Sequence, residues 1–276
     1  MSQKNMKVEN DIEKIAALYY GEHLTCPEIA RRYGNISSVV VQRALKRHGY
    51  KLRRERYNSR YDINIHTFDQ IDSEGKAWAL GFIAADGHVS AQGNLVFAQQ
   101  RSQKDALEQV RSICESNAPI GSKASGNAVT LCICSKTLCE RLVSMGLNHQ
   151  KSHGYDFDKL LSYVPQDLLT HFLRGLFDGD GSIRYYNYPY HKKHTVHLGL
   201  THTLPAVTFW ANYFGSYTKL VKENDVVYTW CSTDRFLAEK IYYELYEKAH
   251  YFVGDKKRAF EEFIAIFHQE ELSAKT

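Results

Sequence analysis

Residues 79–87 read Ala-Leu-Gly-Phe-Ile-Ala-Ala-Asp-Gly, and residues 173–181 read Leu-Arg-Gly-Leu-Phe-Asp-Gly-Asp-Gly. Both stretches are mostly apolar, and both carry small residues one helical turn apart before they end in Asp-Gly. Small residues at every fourth position let two helix backbones approach each other closely. The sequence therefore predicts two helices packed side by side. The residues expected at their contact are Gly81, Ala85, Gly175 and Gly179.

The ends of these two predicted helices carry Asp86 and Asp180, each followed by a glycine. We expect that glycine to take the left-handed conformation that stops a helix. A carboxylate in the last turn faces the negative end of the helix dipole, and two packed helices would bring two carboxylates together. A divalent cation bound between them would remove both penalties. The pattern thus indicates a metal site formed by Asp86 and Asp180.

The two stretches resemble the motif for which the LAGLIDADG homing endonucleases are named. The resemblance implies an α+β protein of two pseudo-symmetric αββαββα halves, with the motif helices forming the interface between them. It assigns the catalytic metal to the acidic residue before the final glycine, which is Asp86 in one copy and Asp180 in the other. The earlier acidic position is Ala84 in the first copy and Asp178 in the second, and the family tolerates variation there.

The same resemblance implies a function and its cofactor. It implies a site-specific endonuclease that hydrolyses both strands of DNA with Mg²⁺ or Mn²⁺, where metal ions activate water and stabilise the leaving oxygen. Because both motifs lie in one chain, we expect a monomer acting on a long asymmetric target. The family also places a Gln or Lys on the strands near the metal. The candidates for such catalytic partners are Gln100, His202 and Lys136.

An internal duplication extends beyond the motifs. We expect repeat 1 over 74–155 and repeat 2 over 156–276, each with the same order of elements, and a tail helix over 255–270. The first repeat is predicted as helix 74–86, strands 88–91 and 95–100, helix 104–116, strand 129–134 and helix 137–145. The second is predicted as strands 182–190 and 195–201, helix 204–214, strand 226–231 and helix 233–248. The pair Cys231-Ser232 is expected to stand in the place of Cys134-Ser135.

Residues 1–50 are predicted to form a separate DNA-binding domain. Three short helices are expected, with a capping-box pattern at Thr25 and Glu28, a turn at Gly34 and a helix-capping Ser37. Helix, turn and helix of this size are similar to a helix-turn-helix reader, although a packing module without DNA is the alternative. The side chains predicted to face DNA are Ser38, Gln42, Arg43 and Lys46.

A basic linker is predicted over 51–73. Its cationic residues, among them Arg53, Arg54 and Arg56, are interleaved with tyrosines and could neutralise phosphates along a groove. Residues 1–62 hold 13 Lys and Arg against 7 Asp and Glu, a net charge of +6, while the rest of the chain has a net charge of −2. The basic excess therefore lies entirely in the N-terminal segment.

Alternating strands offer a second surface for DNA. Arg184 and Tyr186 share one face of the strand at 182–190, and His197 lies on the polar face of the next strand. The polar face of such a sheet can enter a major groove and read base edges. An ordinary half-exposed sheet has the same alternation, so these three residues are candidates for DNA contact only in the context of the motifs.

The composition limits the cellular locations that are expected for the protein. No apolar run approaches the roughly 20 residues of a membrane span. The six cysteines lack a disulfide or zinc-finger spacing, which indicates reduced thiols in a cytosolic setting. We expect a cytoplasmic or nucleoid-associated protein of a prokaryote or phage, or an organellar one. His191, His194 and His197 are not favoured as metal ligands.

Two other functions fit the same resemblance. One is a transcriptional regulator that binds DNA without cleaving it, which the near-neutral charge of residues 63–276 favours. The presence of both motif acids argues against it, because a regulator has no use for two opposed carboxylates at helix ends. The other is an RNA maturase that assists intron splicing, which no sequence feature separates from the endonuclease.

Overall fold

The computed structural model describes residues 3–22, 24–52, 61–122, 126–149, 154–187, 193–215 and 220–273. The chain divides into two compact units, residues 1–62 and residues 63–276. The division falls inside the predicted basic linker, of which residues 53–60 lie outside the described part.

In the N-terminal unit, the regular secondary structure of the described residues is helical. Its helices are α1 (Gln3–Asn10), α2 (Ile12–Ala16), α3 (Cys26–Arg32) and α4 (Ser38–Arg47), and α2 continues as a wider π-helical turn at Ala17–Gly21. The capping box at the start of α3 is formed: Glu28 N–H donates to Thr25 Oγ1, and Thr25 N–H donates to the Glu28 carboxylate at 2.8 Å. Ser37 caps α4 through the Val39 N–H. Helix α1 was not predicted.

A tight turn joins α3 to α4, and a small hydrophobic core lies between the helices of this unit. The turn places Gly34 and Asn35 at positive φ, 86° and 55°, where residues with short or absent side chains are favoured. The fully buried residues of this unit are aliphatic, and each of its four α-helices contributes at least one. They are Val8, Ile15, Ile29, Val41, Ala44 and Leu45. The unit therefore has its own hydrophobic core.

The larger unit contains the two predicted repeats. The first consists of α5 (Glu74–Asp86), β1 (His88–Val89), β2 (Asn94–Gln100), α6 (Lys104–Ile113), β3 (Ile120–Ser122), β4 (Ala128–Cys134) and α7 (Lys136–Ser144). After α8 (Phe157–Leu161), the second consists of α9 (Leu169–Asp180), β5 (Gly181–Tyr186), β6 (Thr195–Thr203), α10 (Leu204–Phe214), β7 (Val221–Lys222), β8 (Val227–Ser232) and α11 (Arg235–Leu245). The tail helix α12 spans Gly254–Ser273.

Each repeat forms an antiparallel four-stranded sheet with the same strand order. The orders are β1-β2-β4-β3 and β5-β6-β8-β7. The predicted α+β architecture of two αββαββα halves is confirmed. The short edge strands β3 and β7 were not predicted, because strands of two or three residues carry too little alternation to recognise.

Strand register relates the two repeats residue by residue. His88 and Ser182, each two residues after a motif aspartate, pair with Val96 and Gly199 on the following strand. Val96 and Gly199 therefore occupy equivalent positions in the two sheets.

The same register corrects one predicted equivalence. On the next strand, the two equivalent positions pair with Cys132 and Cys231. The expectation that Cys231 stands in the place of Cys134 was therefore wrong by two residues. Because side chains alternate with a period of two, Cys132 and Cys134 lie on one face of β4, and the pattern alone could not choose between them.

Helices α5 and α9 pack with their backbones in direct contact. A Cβ atom on Gly81 would lie 2.1 Å from the Phe172 carbonyl oxygen, and one on Gly175 would lie 2.0 Å from the Trp78 carbonyl oxygen. One turn further, a Cβ atom on Gly179 would lie 2.2 Å from the Cβ of Ala85. No side chain larger than hydrogen fits at the three glycines without moving the neighbouring helix.

The glycines that follow the motif acids depart from the predicted conformation. Gly87 and Gly181 have φ of −72° and −82° with extended ψ, so neither is left-handed. Steric crowding explains why both positions are glycine. A Cβ atom on Gly87 would lie 2.8 Å from the Ile83 carbonyl oxygen, and one on Gly181 would lie 2.4 Å from the Phe177 ring. These glycines let each chain turn sharply from its helix into the following strand.

Within the described ranges, no helix combines the length and the apolar character needed to cross a membrane.

The close approach of α5 and α9 predicts a large effect of a single methyl group. We expect Gly175→Ala to lower the free energy of unfolding of the larger unit by about 3 kcal/mol, because the new Cβ meets a backbone oxygen that cannot rotate away. Urea unfolding measures the loss. The matched control is Gly121→Ala, whose Cβ would have its nearest atom at 3.4 Å. Equal stability of the two variants would contradict the packing described.

Candidate active site at the motif-helix ends

The packed helices bring Asp86 and Asp180 to one place. Because Gly179 lies against Ala85, the end of α9 adjoins the end of α5, and a Cβ atom on Gly179 would lie 3.3 Å from Asp86 Oδ2. Both aspartates are half-buried, so their carboxylates remain accessible from outside. The arrangement presents two oxygen-donor groups side by side at the boundary between the two repeats.

Asp86 is held by a glutamine from β2. Gln99 Nε2 donates to Asp86 Oδ2 at 2.6 Å, and the Gln99 side chain is buried. The sequence predicted Gln100 for this role, but the structure places Gln100 on the exposed face of the strand. The difference is a single residue, and one residue moves a side chain to the opposite face of a sheet.

Asp180 adjoins a histidine from β6. His202 Nε2 lies 3.7 Å from Asp180 Oδ2, and the Thr203 N–H donates to His202 Nδ1 at 2.7 Å. Because Nδ1 accepts this hydrogen bond, we assign the proton of the neutral ring to Nε2, which faces Asp180. His202 was among the predicted partners, and the structure brings it to the motif acid.

A tyrosine from the connection between the repeats completes this side. The Tyr155 hydroxyl lies 3.2 Å from His202 Nε2. Burial, followed by the negative charge of Asp180, raises the pKa of Tyr155 well above its usual value, so the phenol stays protonated. Sequence reasoning missed Tyr155, because a residue in an irregular connection carries no periodic signal.

The two sides of the site are equivalent in position but not in chemistry. Gln99 lies three residues after Val96, and His202 lies three residues after Gly199, so the register makes them counterparts. Asp86 therefore accepts a hydrogen bond from a carboxamide. Asp180 instead adjoins an imidazole, which in turn contacts the Tyr155 hydroxyl.

The structure does not bring Lys136 to this site. Lys136 opens α7, lies 3.3 Å from the Glu140 carboxylate, and packs against Gly93 at the start of β2. Gln99 stands six residues further along that strand, which at about 3.4 Å per residue is roughly 20 Å away. A lysine at the β1–β2 turn therefore cannot act on Asp86.

Asp178 has a different environment from the other motif acids. It is fully buried and accepts hydrogen bonds from Trp78 Nε1 at 2.8 Å, the Tyr246 hydroxyl at 2.8 Å and the Val253 N–H at 3.0 Å. Burial raises its pKa to about 6 in spite of these donors and of Lys256. Asp178 thus joins α5, α9 and the segment before α12, and its carboxylate is not available to an ion.

A lysine from α12 lies at the end of α9. Lys256 Nζ donates to the carbonyl oxygens of Phe177 at 2.7 Å and Gly179 at 3.2 Å, and to that of Asp178. The sequence predicted only the apolar side of α12, so this contact was missed. The local sequence around Lys256 has no feature that points to the motif helices.

The exposed faces of the two sheets carry different side chains. In the second sheet, Arg184 pairs with His197 in the strand ladder, and the rings of His197 and Tyr186 are 5.5 Å apart. All three residues are exposed, and their predicted contact with DNA stays a prediction. In the first sheet, β2 and β4 are described over their full length, and neither contains Lys or Arg.

The N-terminal unit presents its predicted residues on α4. Arg43 and Lys46 are exposed, Ser38 and Gln42 are partly buried, and Val39 is exposed beside them. The predicted contacts Arg53, Arg54 and Arg56 lie outside the described residues.

The described part of the chain contains no group of three or more His, Cys, Asp or Glu residues arranged to enclose a metal ion. Any ion at Asp86 and Asp180 would therefore need further ligands from water or substrate.

The arrangement of α5, α9 and the two sheets is the fold of the LAGLIDADG homing endonucleases. No family model and no curated protein matches the sequence. Among solved structures, the homing endonuclease I-GzeII in complex with its DNA target has a TM-score of 0.51 and 11% identity, over 72% of this chain and 91% of that one. The meganuclease I-AabMI bound to uncleaved DNA has a TM-score of 0.50 and 13% identity, over 71% and 92%.

The hydrogen bonds of Asp178 predict a structural role that differs from that of its neighbours. We expect Asp178→Leu to cost about 3 kcal/mol of unfolding free energy, because it leaves three buried donors without an acceptor. Asp178→Asn keeps one acceptor oxygen and should cost less than half as much. Urea unfolding at neutral pH measures both, and a leucine variant as stable as the asparagine variant would rule out this role.

Proposed function

We propose that the protein is a DNA endonuclease that hydrolyses phosphodiester bonds with a divalent cation at Asp86 and Asp180. The observation that carries the proposal is the meeting of two half-exposed carboxylates at the ends of α5 and α9. Solved structures of the same fold are homing endonucleases bound to DNA, which supports this assignment.

The donor set fits Mg²⁺ or Mn²⁺. Magnesium prefers oxygen ligands, keeps several waters, and is usually held by one or two carboxylates together with substrate phosphates. Asp86 and Asp180 supply such carboxylates, so a cage made only of protein is not required. When bound, the ion would activate water and stabilise the leaving oxygen.

The surrounding side chains would orient the two acids. Gln99 fixes the rotation of the Asp86 carboxylate through its 2.6 Å hydrogen bond and leaves the other oxygen for an ion. His202, held by Thr203 N–H and Tyr155, borders the Asp180 carboxylate without a short contact to it. Each half of the site would then serve one DNA strand.

Two surfaces would hold the DNA. Arg184, Tyr186 and His197 on the second sheet offer hydrogen-bond donors and an aromatic face to base edges. In the N-terminal unit, Arg43 and Lys46 would contact phosphates as part of a helix-turn-helix reader. Because one chain supplies both halves of the site, we propose that it acts as a monomer on an asymmetric target.

The carboxylate pair gives the decisive experiment. A target is first selected from a random double-stranded library by cleavage in Mg²⁺. We expect Asp86→Asn and Asp180→Asn each to abolish double-strand cleavage, because an amide cannot replace the charge that holds the ion. Binding measured in Ca²⁺ should persist or tighten, since a negative charge facing phosphate is removed.

The control for these variants is Asp225→Asn, a fully solvated carboxylate in the β7–β8 turn whose side chain is 98% exposed. It should cut at the wild-type rate. Wild-type rates from either motif variant would disprove the proposed chemistry. Selective DNA binding by the wild type without cleavage would favour a regulator, and selective binding of structured RNA would favour a maturase.

The basic N-terminal unit predicts a salt effect on DNA binding. We expect the double variant Arg43→Gln, Lys46→Gln to weaken binding and to lower the slope of log K against log salt by about 2, roughly one for each phosphate contact. Cleavage at saturating DNA should be unchanged. The control is Lys14→Gln, an exposed lysine on α2. An unaltered slope in the double variant would show that α4 does not contact phosphates.

A further inference from the structure

Two cysteines lie side by side on the exposed face of the first sheet. Cys132 and Cys134 stand two residues apart on β4, both are exposed, and their sulfur atoms are 3.7 Å apart. Cysteine is among the residue types that are most often fully buried. Cys26, Cys114 and Cys139 of this chain are buried in that way. An exposed pair of cysteines in contact is therefore the unusual feature of β4.

The second sheet offers a direct comparison. The strand register makes Cys231 of β8 the counterpart of Cys132. Residues 181–233 contain no other cysteine, and the residue two positions after Cys231 is the exposed Thr233. The two repeats thus share one exposed cysteine position, and the first repeat adds a second sulfur beside it.

The distance between the two sulfurs suits a metal ion better than a disulfide. Residues two apart along an antiparallel strand have Cα atoms about 6.8 Å apart, which is the upper limit of what a disulfide spans. Two thiolates bound to tetrahedral Zn²⁺, with bonds of about 2.3 Å, lie about 3.8 Å from each other. The sulfurs of Cys132 and Cys134 already lie 3.7 Å apart. The strand therefore holds the pair at chelating distance.

The ionisation of the pair also favours ligand binding over oxidation. Oxidants react with the thiolate rather than with the thiol. Partial burial, followed by the neighbouring Cys134, raises the pKa of Cys132 to about 11, so this sulfur keeps its proton at neutral pH. A thiophilic metal ion displaces such a proton, because a metal–sulfur bond replaces the S–H bond and the proton leaves to solvent.

We propose that Cys132 and Cys134 form a binding site for a thiophilic divalent cation such as Zn²⁺ or Cd²⁺. The two thiolates occupy two corners of its tetrahedron, and water takes the other two. Among the described residues, no third His, Cys, Asp or Glu is arranged to complete a cage, so the ion remains exchangeable. Sulfur ligands select zinc-like ions, whereas carboxylates suit Mg²⁺ and Mn²⁺. The site is therefore separate from the one proposed at Asp86 and Asp180 and does not rest on the proposed function.

Titration of the DNA-free protein with Cd²⁺ tests the site, because cadmium bound to thiolate gives an ultraviolet charge-transfer absorption that cadmium bound to carboxylate lacks. A phosphine keeps the thiols reduced, and excess Mg²⁺ occupies oxygen-donor sites. We expect one sulfur-bound Cd²⁺ per chain, which Zn²⁺ displaces. Cys132→Ser and Cys134→Ser should each weaken binding by at least about tenfold, because the second contact of a chelate is intramolecular. Absence of this absorption in the wild type, or its survival in both variants, would overturn the proposal.

Two controls separate this site from other metal binding. Cys231→Ser removes the counterpart sulfur of the second sheet and should leave the Cd²⁺ affinity unchanged. A loss as large as that of Cys132→Ser would show binding by single exposed thiols and contradict the chelate. The double variant Asp86→Asn, Asp180→Asn should keep the sulfur-bound Cd²⁺, and its loss there would assign the ion to the motif acids instead. Because the substituted cysteines are exposed, each serine variant should retain the wild-type Tm.

Discussion

The backbone contact between α5 and α9 is the constraint on which the rest of the larger unit depends. Gly81 and Gly175 let each helix place a carbonyl where a side chain would otherwise stand. Because the helices touch, the two aspartates at their ends meet. The two sheets, each entered directly from one of these helices, take their positions from the same contact. A wider spacing would separate the two carboxylates.

The segment after the second repeat holds this arrangement together. Buried Arg174 of α9 donates to Glu74 of α5 at 2.7 Å and to carbonyl oxygens of Leu245 and Tyr251. At the other end, Lys256 covers the last turn of α9. Charged groups inside a protein need such partners, because their removal from water is costly. The tail is therefore part of the site, although it lies outside the duplicated unit.

A symmetric scaffold here carries an asymmetric site. Gln99 and His202 occupy equivalent strand positions, yet one donates directly to its aspartate while the other borders it with the help of Tyr155. Lys256 donates to carbonyl oxygens of the last turn of α9. Within one chain the two repeats can diverge independently, since a substitution in one is not copied in the other. In the function proposed, such divergence suits a target whose two halves differ.

The sequence by itself determined the motif helices, their small contact residues, the acids at their ends and the order of most strands and helices. These features depend on local periodicity, capping residues and turn residues, and each such pattern can be recognised within a few neighbouring residues. Tertiary structure alone decided that Gln99 rather than Gln100 reaches Asp86, because a strand face is set by register with its neighbours. It alone also brought Lys256 to a helix end more than seventy residues earlier in the chain. Contacts over such distances leave no local signal, because their partners are chosen by the packing of the whole unit.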